Sequence, residues 1–338
     1  MISKFLAAVG LAILVYIPLS MLVGDYHLHL MIQILLWAAI YTGWAIMGRF
    51  GLVSLGHGAF MGIGAYTTVL LWNEFGISPL LGIPIAIVLA VLVAAIVAIP
   101  CFRFRIIGHY FALVTLALSE VVRLIIVALR EHTGGSLGIT PLRHADVSPL
   151  LSFQFSDKAS FYFVALLFWV FTLLIWHLVD RSMARPAMMA IADDEDATAS
   201  IGINVTWQKL RVTLISAALT AFGGALYGQY QMYINPDTVS GIAVSLQIVF
   251  AVVAGGMFVQ FGPTVGALFT LMLAESLRVL IGNEYHGADT TIYGLMLILF
   301  IIYMPKGILG AILARFAPAK TAKFPDSKPG GAESSTAR

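Results

Sequence analysis

Apolar stretches of about twenty residues follow one another along most of this chain, and a bilayer core asks for a helix of that length. They run over residues 5–23, 28–47, 52–72, 80–100, 109–129, 161–179, 212–229, 242–258, 263–281 and 291–304. The succession predicts an all-α polytopic membrane protein with about ten transmembrane helices, or eight to nine if the Gly-rich third stretch is re-entrant or broken. Composition agrees: 60% of the 338 residues are hydrophobic and 11% charged, where a soluble domain carries about 25% charge. The run after Lys4 is too long for a signal-peptide core and ends in no small-x-small cleavage site, so it is read as a retained span. A single cysteine, Cys101, excludes an internal disulfide and a Cys-cluster metal site.

Lys and Arg in the loops set the expected direction. With the N-terminus inside and the spans alternating, Lys4, Arg49, Arg103, Arg105, Arg181, Arg185, Lys209, Arg211, Lys306, Arg315, Lys320 and Lys323 face the cytoplasm. Arg130, Arg143, Lys158 and Arg278 face outward, a bias of roughly three to one in the sense of the positive-inside rule. Both termini are then cytoplasmic. Residues 1–317 form the membrane domain, and 318–338, rich in Pro, Gly, Ser and Lys, read as a disordered tail. The outer loop of residues 130–160 is rich in turns and too irregular to be a domain.

The longest clearly polar run between spans is residues 181–211, on the cytoplasmic side of that topology. Pro186 suits the first position of a helix, the residues from Ala187 to Ala192 favour one, and Gly202 is a natural left-handed stop. The reading is a short helix with an apolar first half and an acidic second half of Asp193, Asp194, Glu195 and Asp196. Such a loop either has no further role or docks a soluble partner.

Chemistry of its own is missing from the chain. There is no Gly-x-x-x-x-Gly-Lys-Ser/Thr loop, so if ATP drives this protein another chain binds it. No spacing of His, Cys and Glu suits a metal, no nucleophile–base arrangement suits catalysis, and no cofactor or nucleic-acid partner is expected. His27 and His29 read as polar residues at an outer membrane edge. In the third stretch, Gly58 and Gly62 open a small-residue face that lets helices approach closely. Ser54 and His57 stand at its cytoplasmic end, either bonded to a neighbouring helix or on a translocation path. Glu120 and Arg123, spaced i, i+3, can pair within the fifth span as a structural pair or as path residues. Glu275 and Arg278 repeat that spacing, by chance or as an internal echo.

The segments SLGHGAFMGIGAY, YFALVTLALSEVVRLI, TGGSLGI, AIADDEDATASIGINV, FGGALYG and GGMFVQFGPTVGA occur in this order. Together they resemble the LivM-type membrane permease of bacterial ABC importers for branched-chain amino acids, over about residues 43–307. The resemblance implies a bundle of roughly ten spans in the bacterial inner membrane. It also implies a LivH-like second permease, two cytoplasmic ATPase subunits that bind the ATP, and a periplasmic solute-binding protein. By the family's pattern the docking segment is residues 187–202, preceded by Arg185, with Asp193, Asp194 and Glu195 toward the ATPase. Leu137 departs from the pattern, which usually has Asn there. Carriage of urea or short amides in the same family is one alternative, and an ion-coupled secondary transporter, from another class, is a second. Apart from the Glu–Arg pairs, the spans offer few ionisable groups for the latter.

Overall fold

The computed structural model describes Tyr16 and residues 24–143, 147–155, 157–281, 288–303 and 307–316. The expected span 5–23 and tail 318–338 lie outside these residues, apart from Tyr16. The long helices are α1 (Asp25–Gly48), α2 (His57–Phe75), α3 (Pro79–Arg103), α4 (His109–Ala128) and α5 (Lys158–Arg181). After α5 come two short helices, α6 (Ala184–Asp193) and α7 (Glu195–Ser200). The chain continues through α8 (Val205–Gln231), α9 (Gly241–Gly255), α10 (Gly262–Ile281), α11 (Ala288–Tyr303) and α12 (Gly307–Phe316). Among the described residues, seven helical stretches are long and apolar enough to cross a membrane: α1, α3, α4, α5, α8, α10 and the run Pro236–Gly255. The third expected span is an unbroken helix, α2, entered through a non-helical stretch at residues 52–56.

The apolar code runs inside out. α1 and α8 are interior, 83% and 72% buried along the span, and α3 and α4 are peripheral at 28% each. A peripheral span must satisfy lipid, whereas an interior one need only fit its neighbours, which is why α2 tolerates His57, Thr68 and several glycines. α3 shows the division on one helix. Ala86, Ala90, Ala94 and Ala98, spaced by four, form its buried stripe, and Val88, Leu92 and Ile96 are exposed. α8 packs on α1, α2 and α3, and α1 also touches α5, α9 and α10.

Contacts between loops sort them into two ends. At one end Lys158 reaches Asp25, with Nζ 3.3 Å from its carbonyl oxygen. There too Ile139 and Ile234 form an antiparallel bridge, and Trp72 Nε1 donates to the Leu142 carbonyl at 2.7 Å. At the other end Arg49 meets Asp180, Arg105 meets Asp196 and Lys209 meets Glu195. The loops expected on the cytoplasmic side thus gather at one end, as alternating spans require.

Two details differ from the sequence reading. α8 begins at Val205, not near 212, because the Asn204 side chain accepts the Trp207 N–H at 3.0 Å and caps it. Lys209 and Arg211 are therefore on a helix and not in a loop. The helix expected over 187–202 is broken into α6 and α7 at Asp194. Pro186 is the third residue of α6, where its missing N–H still costs no helix bond.

Candidate functional site

The α6–α7 segment lies at the Arg49 end with its inward face built by helical spacing. Ala184, Ala187, Met188 and Ile191 are buried. Met183, Met189 and Ile201 are left 81%, 52% and 73% exposed. The break between the helices is made by Asp194, whose Oδ1 accepts the N–H groups of Asp196 and Ala197, both at 2.9 Å. Gly202, at φ +88°, turns the chain toward α8.

The acidic residues have different tasks. Asp193 is exposed. Asp194 is the cap just described. Glu195 points back into the protein, its Oε2 2.7 Å from Lys209 Nζ. Asp196 pairs with Arg105 at 2.7 Å with both side chains mostly exposed, an arrangement worth little. Lys209 itself is buried, at 5% side-chain exposure. Next to α6, Arg49 forms an ion pair with Asp180, Nη1 to Oδ1 at 2.7 Å, with 7% of its side chain exposed. Its guanidinium lies 3.9 Å from the Trp176 ring and 4.7 Å from the Phe50 ring. Burial pulls the Arg49 pKa below its ordinary value, and Asp180 pushes it back up. Arg185 approaches the same carboxylate at 3.8 Å. A cleft of about 320 Å³ opens beside Arg49, Arg185, Met189 and Asp193.

Further into the bundle, His57 is fully buried and its Nε2 lies 2.7 Å from Ser216 Oγ. Ser216 donates its own hydrogen to the Gly43 carbonyl at 2.7 Å. The imidazole must therefore donate from Nε2, which fixes the tautomer and ties α2, α8 and α1 together. Ser54 is buried nearby, but its Oγ accepts the Gly56 N–H and does not reach His57. Gly58 N–H donates to Ser245 Oγ at 2.9 Å, and Ser245 meets Ser119 at 3.0 Å. A Cβ on Gly58 would lie 2.8 Å from both serine oxygens, and one on Gly62 2.7 Å from Ser240 Cβ. Both glycines are thus points of close approach between α2 and the helices around it. His57→Leu should cost about 1 kcal/mol, since it leaves the buried Ser216 oxygen one donor short. The check is the melting temperature of the detergent-solubilised protein, which should drop by a few degrees.

Glu120 and Arg123 pair as their spacing predicts, with Arg123 Nη2 2.5 Å from Glu120 Oε1. Arg123 also reaches Asp237 at 3.2 Å, which places the pair toward the Lys158 end, away from His57. Both side chains are about one third exposed. Glu275, on α10, accepts from Tyr26 Oη at 2.6 Å. At the same end a cavity of about 650 Å³ is lined by His29, Lys158, Phe161, Gln229 and Tyr230. Among the described residues no group of His, Cys, Asp and Glu is placed to hold a metal ion. Sequence reasoning did not single out Ser119, Ser216, Ser245 or the Lys209–Glu195 and Arg49–Asp180 pairs. The available signal was a serine or a charge at a helical position otherwise occupied by apolar residues.

Residues 26–304 match the family described as branched-chain amino acid transport system / permease component. The high-affinity branched-chain amino acid transport system permease protein LivM of Escherichia coli (strain K12) is 31% identical over 284 residues, 78% of this chain and 65% of that protein. The protein of the same name from Salmonella typhimurium matches with the same identity and coverage. The corresponding LivH of Escherichia coli (strain K12) is 34% identical over 125 residues, 37% of this chain and 39% of LivH. The chain therefore spans about two thirds of the length of the LivM proteins it matches. No solved structure matches it.

Proposed function

The chain belongs to the family of branched-chain amino acid transport permease components, and from that premise we propose that it is a permease subunit of an ATP-driven importer for branched-chain amino acids. One observation carries the reading: between two spans, a two-helix segment packs its apolar inner face on the bundle and leaves Met183, Met189 and Ile201 exposed at the charged end. A docking surface for a separate ATPase needs a segment of this kind, anchored on the bundle by its buried face and leaving apolar side chains exposed for a partner. The absence of a phosphate-binding loop from the sequence agrees with a transport subunit whose ATP is bound by its partners. A second permease of LivH type, two ATPase subunits at the Arg49 end and a solute-binding protein at the Lys158 end complete the proposed assembly. The bacterial inner membrane, with both termini cytoplasmic, is its proposed location. Glu120 and Arg123, partly exposed on a peripheral span, are proposed to face the second permease and the path between the two, because lipid would not solvate that pair.

The test is reconstitution of the four kinds of subunit in proteoliposomes. ATP hydrolysis should rise when leucine-loaded binding protein is added on the outer side. Met189→Glu together with Ile201→Glu should abolish that rise and weaken retention of the ATPase, since charges would replace the apolar tip. Uptake that persists without the ATPase subunits, or that follows a proton or sodium gradient, overturns the reading.

A further inference from the structure

We propose that the buried Lys209–Glu195 ion pair is the strut through which the α6–α7 segment moves α8, so that Lys209 is a positioning residue for the ATP-driven step. The inference rests on the docking role of α6–α7 proposed above and adds to it the contact that carries the motion onward.

Glu195 opens α7 and Lys209 lies in the second turn of α8, with Gly202 in the turn between them. A Cβ on Gly202 would meet nothing within 4 Å, so the turn is open at Gly202 itself, although Ile203 just beyond it packs on the core. A push on α7 passed along the backbone can be taken up in part as rotation at Gly202. The ion pair bypasses it. Its 2.7 Å contact is formed by a side chain only 5% exposed, against a carboxylate 21% exposed. Lys209 Nζ also lies 5.9 Å from the Phe102 ring centroid, which keeps the ammonium beside an apolar wall at the end of α3. An ammonium withdrawn from water to this degree cannot leave its carboxylate without a large desolvation penalty. Displacing α7 therefore displaces the base of α8. The neighbouring Arg105–Asp196 pair is 66% and 76% exposed and can separate into water freely.

The motion has a defined destination. Ser216 follows Lys209 on α8 by about two turns and so lies near the same face. It is bonded there to His57 at 2.7 Å and to the Gly43 carbonyl at 2.7 Å. A shift at Lys209 thus reaches α2 and α1 through an unbroken helix, without having to bend any turn.

The experiment uses the reconstituted assembly, with three readings: ATPase activity without binding protein, ATPase activity with leucine-loaded binding protein, and uptake of radiolabelled leucine. Glu195→Gln keeps the shape of the pair and removes one charge. Lys209→Met fills the same space and leaves a Glu195 carboxylate that is 21% exposed and still meets water. The double variant Lys209→Met/Glu195→Gln removes both charges, the exchange that a fold tolerates best; the melting temperature of each variant is measured alongside. Lys209→Met should keep the ATPase bound and its unstimulated activity unchanged, and each variant should lose stimulation and uptake by roughly tenfold, in the usual range for coupling between two sites. The double variant should lose no more than either single one, since the pair acts as a unit. Arg105→Ala should behave as the unaltered protein. Full stimulation in Lys209→Met overturns the proposal, as does loss that multiplies in the double variant or that accompanies release of the ATPase. An unaltered assembly without any stimulation would instead refute the docking reading, a separate and recognisable result.

Discussion

Gly224→Val is expected to leave little folded protein in the membrane. A Cβ at Gly224, on α8, would overlap the backbone carbonyl of Met61 on α2, and one at Gly64 would overlap the backbone carbonyl of Ala221. The two glycines face each other's helices, so α2 and α8 cross with their backbones in contact. Close approach of this kind is what holds helices together in lipid, where burial of apolar surface supplies no drive. The clash cannot be relieved by a rotamer change, because Cβ is fixed by the backbone and the atom it meets is backbone as well. The helices would have to separate, and α8 also packs on α1 and α3. Overpacking of a tight core costs about 1–3 kcal/mol or more, and valine exceeds the available space by a whole side chain. The measurement is the yield of monodisperse protein after detergent extraction, with its melting temperature where any survives. Gly294→Ala is the matched control, since a Cβ there meets nothing within 4 Å. Equal yields of Gly224→Val and the control would refute the backbone-contact account of this crossing.

Asp180→Ala should destabilise the protein by about 3 kcal/mol, because it strands Arg49, whose side chain is only 7% exposed, without its carboxylate. The aromatic faces of Trp176 and Phe50 soften the loss but cannot replace a carboxylate, and Arg49 Nε and Nη2 already have no hydrogen-bond partner among the described residues. Arg185 would lose the same anchor, loosening the start of α6. The effect has a distinctive reversal. Arg49→Met combined with Asp180→Leu should recover most of the stability, since a buried ion pair replaced by apolar groups is often neutral. Urea or thermal melts of the two variants and of the unaltered protein decide it. A double variant as unstable as Asp180→Ala would mean that the pair stabilises in its own right and that the stranded charge is not the cause.

Much of the architecture was legible before any contact was known. Span positions follow from the free energy of moving a side chain into lipid, a property of each segment alone, and the described spans fall where the apolar runs predict them. The small-residue face of α2 was equally plain, because Gly58 and Gly62 recur at helical spacing. Less legible was the division of labour in the acidic run. Asp193, Asp194, Glu195 and Asp196 look alike in sequence, yet they are exposed, a cap, a buried pair and a surface pair respectively.

The sequence by itself determined that this chain crosses a membrane many times, that its basic loops gather at one end, and that a short helical segment interrupts the spans there. Those are consequences of local periodicity, charge position and capping chemistry. Tertiary structure alone decided that Glu195 faces Lys209, that Arg49 faces Asp180, and that His57 meets Ser216 from 159 positions away. Each of these pairings joins separate segments of the chain, and which charge or serine is within reach depends on how the helices cross. The α2–α8 crossing, for one, is set where Gly64 and Gly224 let the two backbones touch, and no single segment contains that information.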